Sequence, residues 1–398
     1  MRVDMEMKAW LGTLIKRERL RQNLSQEGLC RGICVVSYLS KIETGRVEAG
    51  EDILSALMNR LGLRYETDGE AISRLEAVMD QAREALFSGH QGGKAFEGYM
   101  DRLEAERDVW AHSRLMLYGR LLLALGRGGE WRDMAEYAAS MTEKEYELFL
   151  LLRVSGGEGG GEELMRLHPR GCHALTLGVA AYERGRYFEA IERLLRAWSL
   201  SAEEGSLRIM CLSRLYLGNC YSDCGQKELM LQSYGLGQRM ARELGERELS
   251  DTVEYNVGST YLSWDMAREA YERLAPLDWD SALYRHKMAI ALEKLGRRRE
   301  AMEEIQKARQ AEGDRSPEVD RMLDLVEYRL EHGDYLDSGE YARMLTDTFN
   351  HLKKAMPAGY ARFHLPYMLE MLEKQRRYKE AYQLMREFSQ GEGINGLK

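Results

Sequence analysis

The sequence predicts an all-α protein in which short N-terminal helices precede a long series of helical hairpins. Only five of the 398 residues are proline, and apolar residues make up 44% of the chain. Apolar positions recur at helical spacing, in short blocks up to Leu63 and in longer, paired segments beyond residue 70. We therefore expect an N-terminal domain over residues 1–66 and a helical-repeat domain over residues 67–398.

Charge is unevenly distributed between these two parts. Residues 1–64 carry 11 Lys and Arg against 8 Asp and Glu, whereas the rest of the chain carries 46 against 57. This asymmetry allows the first part to meet a polyanion while the acidic remainder repels it.

The sequence also indicates where in the cell the protein is located. No apolar run approaches the ~20 residues that span a bilayer, and no signal peptide precedes the first helix. The six cysteines form no Cys-x-x-Cys pair, which favours reduced, mostly buried thiols. We expect a cytoplasmic protein without membrane contact.

The N-terminal block predicts four or five short helices. Helix-stopping or turn residues separate them at Asn23, Gly32 and Gly45. Ser25 is placed to cap the second helix, although Gly28 lies where a capping box would have Glu. A third helix should begin near Val35, with Leu39 and Ile42 facing inward.

This spacing suits a helix-turn-helix, in which the second helix of the motif enters the major groove of DNA. The Gln26 amide would point at a phosphate or base from a helix N-terminus. On the exposed face of the next helix, Val36 suits a thymine methyl, the serines suit bases, and Lys41 suits guanine or phosphate. The candidate DNA-binding residues are Gln26, Val36, Ser37, Ser40, Lys41 and Arg46.

Residues 8–64 resemble the phage-repressor-like, or Cro/XRE, family of helix-turn-helix domains. The matching residues are Ile15, Arg19, Leu24, Ser25, Gln26, Leu29, Ser40, Ile42, Glu43 and Gly45. The resemblance implies that Arg19 pairs with Glu43 in a structural role, so both stay outside the binding set. The turn is one residue shorter than in phage repressors, which is similar to regulators that join this domain to tetratricopeptide repeats.

A repeat follows in the second part. Three segments share a Leu/Val-Gly pattern around Gly178, Gly218 and Gly258, which are 40 residues apart. Such small residues let paired helices approach closely, and large residues fill the gaps between them. The pattern resembles the tetratricopeptide repeat, whose period is about 34 residues. This resemblance implies a right-handed α-solenoid of helical hairpins.

Together the two patterns resemble the peptide-pheromone receptor family known as RRNPP, which includes the Rgg, PlcR, NprR and PrgX types. The resemblance implies a transcription regulator that senses a short intracellular signalling peptide through its repeats. Because one helix-turn-helix reads only a half-site, we also expect a homodimer on a two-fold operator.

The peptide should lie on the first helices of the repeats, beside the Leu-Gly pattern. An Asn amide offers a donor and an acceptor to a peptide backbone, although it could instead cap a neighbouring loop. The candidate peptide-binding residues are Tyr182, Asn219, Ser222, Tyr255, Asn256, Ser259 and Lys287.

The sequence leaves two other functions to consider. The repeats could bind a protein partner instead of a peptide, in which case an exposed apolar patch is expected. An enzyme is disfavoured, because no nucleophile, metal or phosphate constellation is present. Paired acids such as Glu303 and Glu304 fit a solvated helix face. We expect no catalytic residue, no metal ligand and no cofactor.

Overall fold

The computed structural model describes residues 2–64, 69–91, 93–277, 279–311 and 313–390, in two compact units that divide between Pro169 and Arg170. The predicted all-α fold class is confirmed, because every regular element within the described residues is a helix. None of those helices has the length and apolar character needed to cross a bilayer. The predicted domain boundary between residues 66 and 67 lies outside the described residues.

The first unit begins with four helices that pack around one core. Over its described residues the unit contains α1 (Arg2–Arg21), α2 (Gln26–Cys30), α3 (Val36–Glu43), α4 (Glu51–Leu61), α5 (Gly69–Phe87), α6 (Lys94–Ala105), α7 (Arg107–Trp110), α8 (Met116–Arg127), a 3₁₀-helix (Arg132–Ser140), α9 (Glu143–Ser155) and α10 (Gly161–Leu167). Ile15, Leu29, Leu39 and Leu57 are fully buried between α1 and α4. The predicted inward side of the third helix is thereby confirmed.

Two glycines set the distance between α1 and α3. A Cβ added to Gly12 would collide with the carbonyl oxygen of Ile42. A Cβ on Gly45 would lie 2.8 Å from the Cα of Ala9, and Gly45 also has a positive φ of 66°. Only glycine satisfies both the contact and the backbone angle at position 45.

The rest of the first unit is also helical. Trp110 is completely buried, and its indole nitrogen donates to the carbonyl oxygen of Leu103 at 2.6 Å. The Gly-rich segment 156–161 joins α9 to α10 as a turn, with positive φ at Gly157, Gly159 and Gly160.

The second unit is a series of helical hairpins. Its described helices are α11 (Gly171–Glu183), α12 (Tyr187–Glu204), α13 (Leu207–Asp223), α14 (Lys227–Glu243), α15 (Arg247–Ser263), α16 (Ala267–Leu274), α17 (Ala282–Lys294), α18 (Arg298–Gln310), α19 (Pro317–Glu331), a 3₁₀-helix (Tyr335–Asp337), α20 (Gly339–Ala355), α21 (Ala358–Lys374) and α22 (Tyr378–Gln390). Helices α11, α13, α15, α17 and α19 contact one another in that order, so these helices line one wall of the unit. Helix α21 contacts α11.

The 40-residue pattern has a direct structural cause. A Cβ on Gly178 would lie 2.7 Å from the Cγ of Leu194, and one on Gly258 would lie 2.6 Å from the Cγ of Leu274. A Cβ on Gly218 would overlap the ring of Tyr234. In each hairpin a bulky side chain of the second helix therefore occupies the space beside a glycine of the first helix.

The turns repeat at half that period. Gly185, Gly205, Gly225 and Gly245 have φ between 69° and 72° at helix ends. The next turn has Asp265, a non-glycine residue with φ of 61°, whose carboxylate accepts from the Lys294 ammonium at 2.6 Å. Asp is among the residues that tolerate this region. The repeat is therefore built from helix-turn units of 20 residues.

Candidate functional site

The turn between α2 and α3 forms as the sequence predicts. The Ser25 hydroxyl caps α2 by accepting from the backbone nitrogen of Gly28 at 2.9 Å. Gly32 adopts a φ of 76° in the turn, and Val35 is the N-cap of α3. The predicted start of the third helix is thus confirmed.

The candidate DNA-binding residues of α3 lie on one outward side. Val36 is 42% exposed, Ser37 and Lys41 are exposed, and Ser40 is half-buried. Arg46 is exposed one residue beyond the Gly45 turn. This arrangement leaves short polar groups, one methyl-bearing side chain and two cations exposed. These groups suit contacts with base edges in a DNA groove and with backbone phosphates. Their contacts with DNA remain predictions.

A buried ion pair holds α3 against α1. The Arg19 Nε donates to Glu43 Oε1 at 2.6 Å, and its Nη2 donates to Glu43 Oε2 at 3.0 Å. The Arg19 Nη1 also donates to the carbonyl oxygen of Leu24 at 2.8 Å, so the same guanidinium fixes the chain before α2. The pair implied by the Cro/XRE resemblance is present.

Gln26 has a role that the sequence did not indicate. Its amide nitrogen donates to Glu43 Oε2 at 2.8 Å, which ties the start of α2 to the end of α3. An amide nitrogen carries two N–H groups, so one N–H remains for a phosphate. Gln26 thus positions the recognition helix in addition to any DNA contact.

Helix α1 is also attached to the later helices of the first unit. Arg17 Nη2 donates to Asp133 Oδ2 at 2.8 Å, and Arg120 Nη2 donates to Asp133 Oδ1 at 2.8 Å. The Arg17 Nε lies 3.1 Å from Glu136 Oε2. One carboxylate therefore joins α1 to α8 through two arginines, a link that no local pattern in the sequence reveals.

The second unit contains a cavity of about 790 Å³. Its lining comes from α11, α13, α15 and α17, with Tyr234 of α14, and from α21 and α22. All seven candidate peptide-binding residues line it: Tyr182, Asn219, Ser222, Tyr255, Asn256, Ser259 and Lys287. The structure brings together a set spread over more than 100 residues of sequence, while their contact with a peptide remains a prediction.

The two asparagines differ in how they are held. Asn219 Oδ1 accepts from the Tyr234 hydroxyl at 2.6 Å, which fixes the amide and leaves its two N–H groups as donors. Asn256 is half-buried on α15 and lines the same cavity. Ser222 donates to the Thr260 hydroxyl at 3.3 Å and thereby connects α13 to α15.

Aromatic rings form much of the remaining lining. Tyr182 packs against Tyr187 and Tyr216, with both ring centroids 5.9 Å away. Tyr255 packs against Trp279 at 5.4 Å. Burial raises the pKa of the Tyr182 and Tyr255 hydroxyls, so both are neutral hydrogen-bond donors at physiological pH.

The sequence did not identify the wall formed by α21. Arg362, Phe363, His364 and Pro366 lie there, more than 70 residues after Lys287 in the chain. Arg362 donates to the backbone carbonyl of Asp223 and lies beside its carboxylate, with Nε 3.6 Å from Oδ1. The weaker repeat pattern in this segment gave no indication that α21 would close onto α11.

Comparisons with known proteins agree with both parts of the fold. Residues 15–67 match a family model described as helix-turn-helix. The transcriptional activator NprA of Geobacillus stearothermophilus is 23% identical over 273 residues, which cover 61% of this chain and 65% of NprA. The match therefore spans slightly less than two thirds of that relative.

Solved structures of similar fold include a Rap protein complexed with competence and sporulation factor. It has a TM-score of 0.58 at 14% identity, over 80% of this chain and 97% of that one. The apo quorum sensor NprR from B. thuringiensis has a TM-score of 0.42 at 16% identity, over 92% and 97% of the two chains. The similarity to the Rap structure confirms the helical-repeat fold that the sequence predicts.

Proposed function

We propose that this chain, which has a helix-turn-helix domain at residues 15–67 and shares the fold of Rap, is a sequence-specific transcription regulator that senses a short signalling peptide. The observation that carries the proposal is the presence of both an outward-facing α3 and a cavity in the second unit. Residues 1–66 bind DNA, and residues 67–398 bind the peptide and form a homodimer.

The DNA-binding half of the proposal rests on the chemistry of α3. Ser37, Ser40 and Lys41 offer hydrogen bonds to base edges, and Val36 offers an apolar contact to thymine. Arg46 and the second N–H of Gln26 position the domain on phosphates. Because a single α3 reads one half-site, two copies bind a two-fold operator.

The peptide half rests on the lining of the cavity. Its volume of about 790 Å³ lies within the range of ligand pockets. The amides of Asn219 and Asn256 suit an extended backbone, and the tyrosines and phenylalanine suit apolar side chains. A concave cavity with both polar and aromatic lining favours a short peptide over the alternative, a folded protein partner that would need an exposed apolar patch.

In this mechanism the peptide acts by population shift. Binding across several hairpins favours one arrangement of the repeats and so changes how the two DNA-binding domains of a cytoplasmic homodimer are spaced.

Selection of sites from random duplex DNA with the full-length protein tests the first half. We expect a two-fold motif, and we expect a double Ser37→Ala, Lys41→Ala variant to lose it. A matched variant with Lys16→Ala and Ser55→Ala, exposed positions on α1 and α4, should select the same motif as the wild type. Identical selection by the α3 variant would contradict the assignment of α3.

Retention of peptides from a random synthetic pool, read by mass spectrometry, tests the second half. We expect the wild type and the Asn59→Ala control, an exposed residue of α4, to retain the same peptides. Asn256→Ala should retain fewer. Sedimentation with and without a retained peptide then measures the oligomeric state, and a monomer bound to DNA would contradict the homodimer.

A further inference from the structure

Lys287 occupies an unusual position in the cavity. It lies on α17, half-buried, and its ammonium nitrogen is 2.9 Å from the centroid of the Phe363 ring on α21. The charge is therefore held between the two walls of the cavity instead of extending to solvent. A ring face attracts a cation, but it supplies no negative charge to neutralise it.

The other buried cations near this wall have carboxylate partners. Arg329 donates to both oxygens of Glu293, each at 2.7 Å. Arg362 lies beside Asp223. For Lys287, no carboxylate of the described residues forms an ion pair, and burial alone lowers the pKa of its ammonium. Burial without a counter-ion disfavours the charged form of a lysine, and a carboxylate placed beside the ammonium would restore that form by pairing with it.

The nearest titratable neighbours do not supply that counter-ion. His286 precedes Lys287 on α17, and His364 lies on α21, with the two imidazole rings stacked at 6.1 Å. Burial lowers the pKa of both rings, and that of His364 falls to about 3, so both are neutral at physiological pH. Neither ring therefore supplies a charge that could pair with the Lys287 ammonium.

We propose that Lys287 is a carboxylate-binding subsite, and that the peptide sensed by this protein presents either an acidic side chain or its C-terminal carboxylate there. This inference rests on the proposed function and adds the chemistry of the recognised group. A carboxylate beside Lys287 gains a charge-assisted hydrogen bond away from bulk water. A peptide without one leaves the lysine without a carboxylate, as in the free protein, so the selectivity comes from the interaction that only the carboxylate peptide gains.

The experiment uses random synthetic peptides in four pools, with or without Asp and Glu, and with a free or an amidated C-terminus. Retention by the full-length wild type is compared with Lys287→Met and Lys287→Arg. Lys294→Met is the matched control, because Lys294 lies on the same helix but pairs with Asp265 outside the cavity. We expect the wild type, Lys287→Arg and Lys294→Met to prefer peptides with a carboxylate.

For Lys287→Met, affinity for a retained carboxylate peptide should fall about ten-fold to a hundred-fold, while affinity for its neutral analogue stays constant. The pools separate the two sources: loss on amidation identifies the C-terminus, and loss on omitting Asp and Glu identifies a side chain. Equal retention of all four pools by the wild type overturns the subsite alone. No retention from any pool overturns the proposed peptide sensing as well.

A second measurement needs no peptide. Methionine fills the space of the lysine stem without an unpaired charge, so Lys287→Met should unfold at a higher temperature than the wild type, and Lys294→Met should not. A lower unfolding temperature for Lys287→Met would mean that the ammonium already has a stabilising partner, and the subsite would be wrong.

Discussion

The outward face of α3, which we propose binds DNA, and the cavity of the second unit are built in opposite ways. The face comes from one eight-residue helix, whose buried partners Arg19, Glu43 and Gln26 are all satisfied within residues 19–43. The cavity is lined by seven helices between residues 171 and 390, and it contains Lys287, for which the described residues offer no carboxylate partner. A surface that reads DNA must be preorganised and accessible, whereas a sensor gains from groups that only its ligand completes.

The largest expected effect tests whether interactions within residues 19–43 hold α3 in place. Arg19→Ala leaves the Glu43 carboxylate buried and unpaired, which should destabilise the helix-turn-helix by about 3–5 kcal/mol. The loss of stability should appear as faster hydrogen exchange in α1 to α4 and as weaker DNA binding. Arg21→Ala is the control, since Arg21 forms an exposed pair with Glu18. If both variants behave alike, the buried pair does not hold α3.

The repeat packing should respond in a position-specific way. Gly218→Ala places a methyl group into the Tyr234 ring, whereas Gly235→Ala on α14 meets no atom closer than 3.8 Å. The two variants share the same gain in helix propensity, so overpacking should make Gly218→Ala less stable than Gly235→Ala by about 1–3 kcal/mol. Thermal unfolding measures the difference, and equal stabilities would show that the ring moves aside freely.

Lowering the pH should destabilise the region around the cavity through its buried histidines. The helix-turn-helix should not be destabilised in this way. His286 and His364 are buried, burial lowers the pKa of each, and the pKa of His364 is about 3. The unfolded histidines titrate near 6.5, so the unfolded state binds more protons as pH falls below that value. Stability should therefore be complete above about pH 6.5 and decrease by about 1.4 kcal/mol per pH unit for each ring below it.

Hydrogen exchange at two pH values separates the regions. Residues 1–64 contain no histidine, so α1 to α4 should keep their protection where α17 and α21 lose theirs. His286→Phe should reduce the dependence of stability on pH. An unchanged acid profile in that variant would contradict the role of the buried rings.

The smallest expected effect concerns Arg46. An exposed arginine that contacts phosphate contributes about 0.9 to the slope of log K against log salt concentration. Arg46→Ala should lower that slope by this amount and weaken all DNA sequences alike. Lys16→Ala should leave the slope unchanged, and a selective loss for one sequence would instead indicate that Arg46 reads bases.

The sequence predicted the local features of both regions. Ser25, Gly32 and Gly45 fixed the ends of the short helices through capping and positive φ, so α3 and its outward residues could be identified from spacing alone. The glycines at positions 178, 218 and 258 located the first helices of the hairpins. From those helices the seven cavity residues could be selected, because neighbouring hairpins present equivalent faces to one wall.

The sequence by itself thus determined the helices, the turns, the repeat and one wall of the cavity, since these depend on interactions between residues close in the chain. Only the tertiary structure decided the link from Arg17 to Asp133, the second role of Gln26 and the closure of α21 onto the hairpins. The same is true of the environment of Lys287. Its ammonium lies over the Phe363 ring, and the nearby carboxylates of Glu293 and Asp223 pair with other cations. Burial and charge pairing are properties of distant segments brought together, and no local periodicity encodes them.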